Sequence, residues 1–159
     1  ESCMTEKQMK AARKALAALE KLGAEVVWRG TSGVDSVYFN REPVGDADLK
    51  HLKGLDSLTK LKLNKSPITD AGLKTLKGLT GLVQLHLAGT EITDDGLEHL
   101  TALKDIGFLD LTNTQVTNAG LEHLKSFKNC KTIRLSGTGV TDSGVTKLKP
   151  ALAGCKITQ

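Results

Sequence analysis

The side chains able to do chemistry in this 159-residue chain recur at a fixed interval, and that interval limits what they can do together. His51, His99 and His123 stand at multiples of 24 residues, with Thr75 and Lys147 in the same column. A zinc site needs about four donors converging on one point. Donors one repeat apart along a column do not converge, so these read as solvated surface histidines. The fourth histidine, His86, lies 24 residues before Asp110. Facing it across neighbouring strands, the carboxylate is expected to raise the imidazole pKa. No serine or cysteine falls in register with both, so no hydrolytic triad is expected. Residues 137–144 imitate a phosphate loop but lack its Lys-Ser/Thr pair. The expectation is a chain with no catalytic residues, no metal and no cofactor.

Three cysteines make an odd count and do not read as a disulfide framework. Cys130 and Cys155 are expected in the first apolar column of consecutive strands, which lie roughly 4.8 Å apart. That spacing brings them near bridging distance, although two buried thiols acting as small hydrophobes is the favoured reading. Cys3 precedes the first helix and is expected to be exposed, with lipid modification as an alternative.

The elements that must position these groups are written in the same period. Leu58, Leu61 and Leu63 align with Leu82, Leu85 and Leu87, with Ile106, Leu109 and Leu111, and with Cys130, Ile133 and Leu135. Downstream, Ile68-Thr-Asp-Ala-Gly-Leu73 aligns with the segments starting at Ile92, Val116 and Val140. A weaker first copy carries Val34, Val37, Phe39, Val44, Asp46, Leu49, Leu52 and Leu55 in these columns. A period in the twenties with L-x-x-L-x-L marks a leucine-rich solenoid. Each repeat should run strand, turn, short helix, with strands near 60–63, 84–87, 108–111 and 132–135. Helices should start near 70, 94, 118 and 142, where Thr69, Thr93, Thr117 and Thr141 cap them and the next residue, an acid or Asn118, favours the dipole. The hydroxyls of Ser66, Thr90, Thr114 and Thr138 are expected to bond backbone in a neighbouring turn. Gly72, Gly96, Gly120 and Gly144 are poor helix formers, and fit where the neighbouring repeat leaves no room for a Cβ. The last repeat, counted from Cys130 to Cys155, is one residue longer, and Pro150 should break its helix.

Residues 34–159 thus read as an array of about five repeats, and residues 1–33 as its N-terminal cap. Met9, Ala12, Leu16 and Leu19 give residues 5–22 one apolar helical face, with a Thr5–Gln8 capping box and Gly23 as the stop. Residues 25–28 have strand character. A terminal element of this kind covers the open edge and apolar end of the first repeat. A helix that binds a partner is the alternative.

The I-T-D-x-G-L block resembles leucine-rich repeats common in bacterial proteins, and is similar to the subclass that accompanies F-box adaptors. The resemblance covers residues 34–159. It departs from the family in carrying Ser66, Thr90, Thr114 and Thr138 at the usual Asn or Cys position, and in its 24-residue period. It implies an α/β fold, a right-handed solenoid with parallel strands on the concave face and short helices on the convex face, and a binding role.

Strand alternation sends two columns to the concave side. One holds Ser36, Lys60, Gln84, Phe108 and Thr132; the other holds Tyr38, Lys62, His86, Asp110 and Arg134. Their identities vary while neighbouring columns hold constant, and aromatic and arginine side chains are favoured interface anchors. Tyr38, Lys60, Lys62, His86, Phe108, Asp110 and Arg134 are therefore the candidate partner-binding residues, all expected to be solvent-accessible. The expected function is a non-enzymatic module that binds a protein or peptide as a monomer. A structural spacer in a larger exported or envelope protein is the alternative. Lys60, Lys62, Lys65 and Arg41 form a basic corner without interleaved aromatics, which disfavours nucleic acid. The formal charge of +4 is mild, and no apolar run reaches the length of a membrane span. The chain begins at Glu1, which leaves both a cytoplasmic and an exported location open.

Overall fold

The computed structural model describes residues 5–30, 33–40 and 42–159; Cys3, Arg41, the middle of the 29–33 turn and the side chain of Gln8 lie outside this description. Its strands form one sheet in chain order. They are β1 (Ala24–Trp28), β2 (Val34–Phe39), β3 (Lys60–Lys62), β4 (Gln84–His86), β5 (Phe108–Asp110), β6 (Thr132–Arg134) and β7 (Lys156–Thr158). β1 runs antiparallel to β2, and every later pairing is parallel. Between strands the chain returns through a 3-10 helix (Asp46–Leu52) and then α2 (Asp70–Leu76), α3 (Asp94–Glu98), α4 (Leu121–Leu124) and α5 (Asp142–Leu148). The helix expected near residue 118 begins at Leu121. Its first turn is wound tighter, closed by Leu121 N–H to Asn118 C=O and Glu122 N–H to Ala119 C=O.

The period is visible as stacked columns of buried side chains. Leu61, Leu85, Leu109 and Ile133 occupy one column, fully buried, and Leu76, Leu100 and Leu124, equally buried, repeat in the segments between the strands. All belong to one core running the length of the array. Each such burial contributes about 1.5–3 kcal/mol. Among the described residues the core is aliphatic except for Cys130, Phe39 and Phe127, the last of which takes the place of Leu79 and Leu103.

Between repeats runs a polar ladder. Asp70 accepts the backbone N–H of Thr93 at 2.8 Å and its hydroxyl at 2.7 Å. Asp46 does the same for Thr69, Asp94 for Thr117, and Asn118 bonds both groups of Thr141. These residues therefore join one repeat to the next, besides standing at the start of their own helix or turn. A Cβ on Gly72, Gly96, Gly120 or Gly144 would collide with the ladder side chain of the preceding repeat, so the close approach is to a carboxylate or amide. The turn hydroxyls behave differently from expectation. Thr90, Thr114 and Thr138 donate to a carbonyl three residues earlier in their own turn. Only Ser66 reaches another repeat, accepting from Val44 N–H.

α1 (Glu6–Lys21) ends at Gly23, whose φ of +75° suits glycine. Its buried face carries Ala12 and Leu19, with Ala15 and Leu22 partly covered, whereas Met9 is 37% exposed. Of the expected face, Ala12 and Leu19 are buried and Leu16 is half-buried, while Met9 turns out and Ala15 and Leu22 join where α1 packs on β1 and the 3-10 helix. At the other end α5 stops at Leu148, and Pro150 sits in a short 3-10 helix (Lys149–Ala151). The last repeat is not one residue longer as expected: Thr132 pairs with Lys156, so the 24-residue register holds, Gly154 takes the column of Cys130 and Cys155 lies one position past it. Among the described residues, no helix is long and apolar enough to cross a membrane.

Candidate functional site

The strand face carries a groove of about 480 Å³ that brings together Tyr38, Lys60, Lys62, His86, Asp110 and Arg134. The parallel register places Tyr38, Lys62, His86, Asp110 and Arg134 side by side on five consecutive strands. Glu25, Asn40, Asn64 and Gln84 complete the lining. Glu25 escaped sequence reasoning because only the antiparallel register of β1 sets it opposite Tyr38.

Two candidate residues differ from expectation. Asp110 is only 6% exposed. Its carboxylate accepts Thr112 N–H at 3.1 Å, and Arg134 Nη1 lies 3.6 Å from its other oxygen. Phe108 is half-buried instead of standing free. Its ring meets the His86 ring with centroids 4.7 Å apart, and the Arg134 guanidinium carbon sits 5.3 Å from its centroid. His86, Phe108, Asp110 and Arg134 thus form one interlocked group on three adjacent strands.

That grouping reverses the expected titration of His86. Burial is the largest influence and lowers its pKa; Asp110 opposes, while Lys62, Lys60 and Arg134 push it down further. Folding therefore weakens proton binding at this site; its contribution to stability is present above the unfolded value of 6.5 and is lost as pH falls from there through the lower folded value. Replacing Phe108 by alanine is expected to cost about 1–1.5 kcal/mol from the ring and cation contacts, not the near-zero of a free side chain. By uncovering the imidazole it should also raise the His86 midpoint, read by NMR pH titration. An unchanged melting temperature and midpoint would show that the stack carries nothing.

The remaining chemistry-bearing groups do not assemble. His51, His99 and His123 are half-buried on the helix side, and among the described residues no group of three His, Cys, Asp or Glu is arranged to hold a metal. Cys130 and Cys155 are free thiols. Burial, and then the charge of Cys155, pushes the Cys130 thiol up to about 12. Burial also raises Cys155. Neither is a ready nucleophile near neutral pH.

Fold and periodicity define a leucine-rich repeat solenoid. The Leucine Rich repeat family model matches residues 55–77 and 80–103. The structure of the chain is similar to that of an internalin from Listeria monocytogenes, with a TM-score of 0.64 and 25% identity over 79% of this chain. It is also similar to the ectodomain of the Arabidopsis receptor kinase HAESA, solved with a peptide hormone, at a TM-score of 0.61 and 16% identity over 89% of this chain. The LRR ectodomain of the Arabidopsis receptor kinase SOBIR1 matches over 94% of this chain and 91% of its own, with a TM-score of 0.54 and 14% identity. The chain spans 34% of the internalin structure and 27% of the HAESA structure. No curated protein matches the sequence.

Proposed function

We propose that this chain is a non-enzymatic interaction module that takes a protein or peptide on its concave strand face. The observation that carries the reading is the groove itself. Five consecutive strands present Tyr38, Lys62, His86, Asp110 and Arg134 in one row, while the columns on either side repeat leucine. Solenoids offer extended concave surfaces suited to a long ligand. The Phe108–Arg134 pair supplies the aromatic and arginine character of interface anchors.

A photo-crosslinking side chain at Gln84, within the groove, and another at Lys147, on the helix side, separate the surfaces. A partner in extract of the source organism is expected to crosslink from position 84 and not from 147. It should be lost when Phe108→Ala and Arg134→Ala are combined, with binding weakened by about 2 kcal/mol or more. A partner captured only from position 147, or one indifferent to the double substitution, would reject the strand face. Capture from neither position would favour a spacer.

A further inference from the structure

We propose that the groove selects an acidic peptide segment, held extended against β3 and β4, an inference that rests on the binding reading above. Its charges are unevenly matched. Asp110 is closed off by Arg134 and by Thr112 N–H. Lys60 and Lys62 stand half-exposed in the groove and enter no ion pair among the described residues. Glu25, the other acid of the lining, sits two strands away from Lys62, opposite Tyr38, at roughly 9.6 Å by strand spacing. The groove therefore offers two uncompensated ammonium groups.

The spacing of these groups suits an extended chain. Alternate residues of one strand point the same way about 6.6–6.8 Å apart, and an extended peptide repeats its side chains at the same interval. Asp or Glu at alternate positions then reaches Lys60 and Lys62 together. On β4, Gln84 stands beside Lys60 and offers amide hydrogen bonds, and His86 stands beside Lys62 with its ring against Phe108. A nucleic acid fits less well, because single strands need rings free for stacking, and Phe108 is already engaged by His86 and Arg134.

Short random peptides displayed on phage can be panned against the full chain, and the enriched peptides synthesised for fluorescence anisotropy. Carboxylates at alternate positions should be enriched. The double variant K60E/K62E should weaken a selected peptide about tenfold or more, with the milder K60Q/K62Q in between. K147E on the helix side should leave affinity unchanged, and melting curves will show that each variant folds. Selected peptides that bind through the strand face, and are lost with Phe108→Ala and Arg134→Ala, yet show no acidic enrichment would overturn acid selectivity alone. Peptides indifferent to every strand-face change would overturn both readings, whereas no enrichment would overturn the acidic-peptide assignment and leave a protein partner to the crosslinking test. Competition by a single-stranded oligonucleotide as strong as by the peptide itself would overturn the assignment to a peptide.

Discussion

A chain truncated to residues 34–159 is expected to melt well below the full-length protein and to associate in solution. β1 supplies the antiparallel partner of β2 along five residues, from Ala24 opposite Phe39 to Trp28 opposite Val34. Without it the backbone donors and acceptors of β2 face water along an open edge, a template for pairing with another chain. α1 packs on β1 and on the first 3-10 helix, and buries Leu19 completely. Losing that burial at about 1.5–3 kcal/mol, together with part of the cover over Val34, Val37 and Phe39, removes on the order of 5 kcal/mol. For a chain of this size, that corresponds to a fall in melting temperature of roughly 10–20 °C. Calorimetry and light scattering read the two effects separately. A monomeric truncate with an unchanged melting temperature would mean that residues 1–33 are not a cap, and would favour an arm that binds a partner.

Gly96→Ala should destabilise the protein although it replaces a helical glycine by the best helix former. Intrinsic propensity alone predicts a gain of about 1 kcal/mol. The new Cβ, however, would fall on the Asp70 carboxylate and press on Leu73. Moving that carboxylate breaks its bonds to the N–H and hydroxyl of Thr93, and bonds to a charged acceptor are worth about 1.5–3 kcal/mol each. Partial exposure reduces this, so the expected net loss is about 2–3 kcal/mol, opposite in sign to the propensity argument. In an Asp70→Ala background the same glycine change should become neutral or stabilising. A double-mutant cycle by chemical denaturation measures that coupling. Gly78→Ala, where an added Cβ meets nothing within 4 Å, is the control and should not destabilise. If Gly96→Ala stabilises the wild type as much as it stabilises Asp70→Ala, the ladder is not a structural constraint.

The 24-residue period by itself determines the repeat architecture. A solenoid repeat contacts only its neighbours, so the inward columns must carry the same kind of side chain each time. That is why Leu61, Leu85 and Leu109, the strand positions, the break at Pro150 and the tight approach at Gly96 were all legible. The side chains that turn outward were legible as a row, because strand alternation is a strict two-residue rule. What each member of the row does was decided only by the tertiary structure. Asp110 is buried because Arg134, one strand away, folds over it. His86 titrates downward because burial and three neighbouring cations outweigh the one carboxylate the sequence placed beside it. Asp70 ties Thr93 across the repeat boundary because stacking brings residues 23 positions apart within hydrogen-bond reach. Helical spacing put Ala12 and Leu19 on the buried face of α1, whereas only contact with β1 and the first 3-10 helix left Met9 exposed and drew Ala15 and Leu22 against the core. Period and alternation are properties of the local chain, whereas burial and charge balance sum over everything the fold brings near.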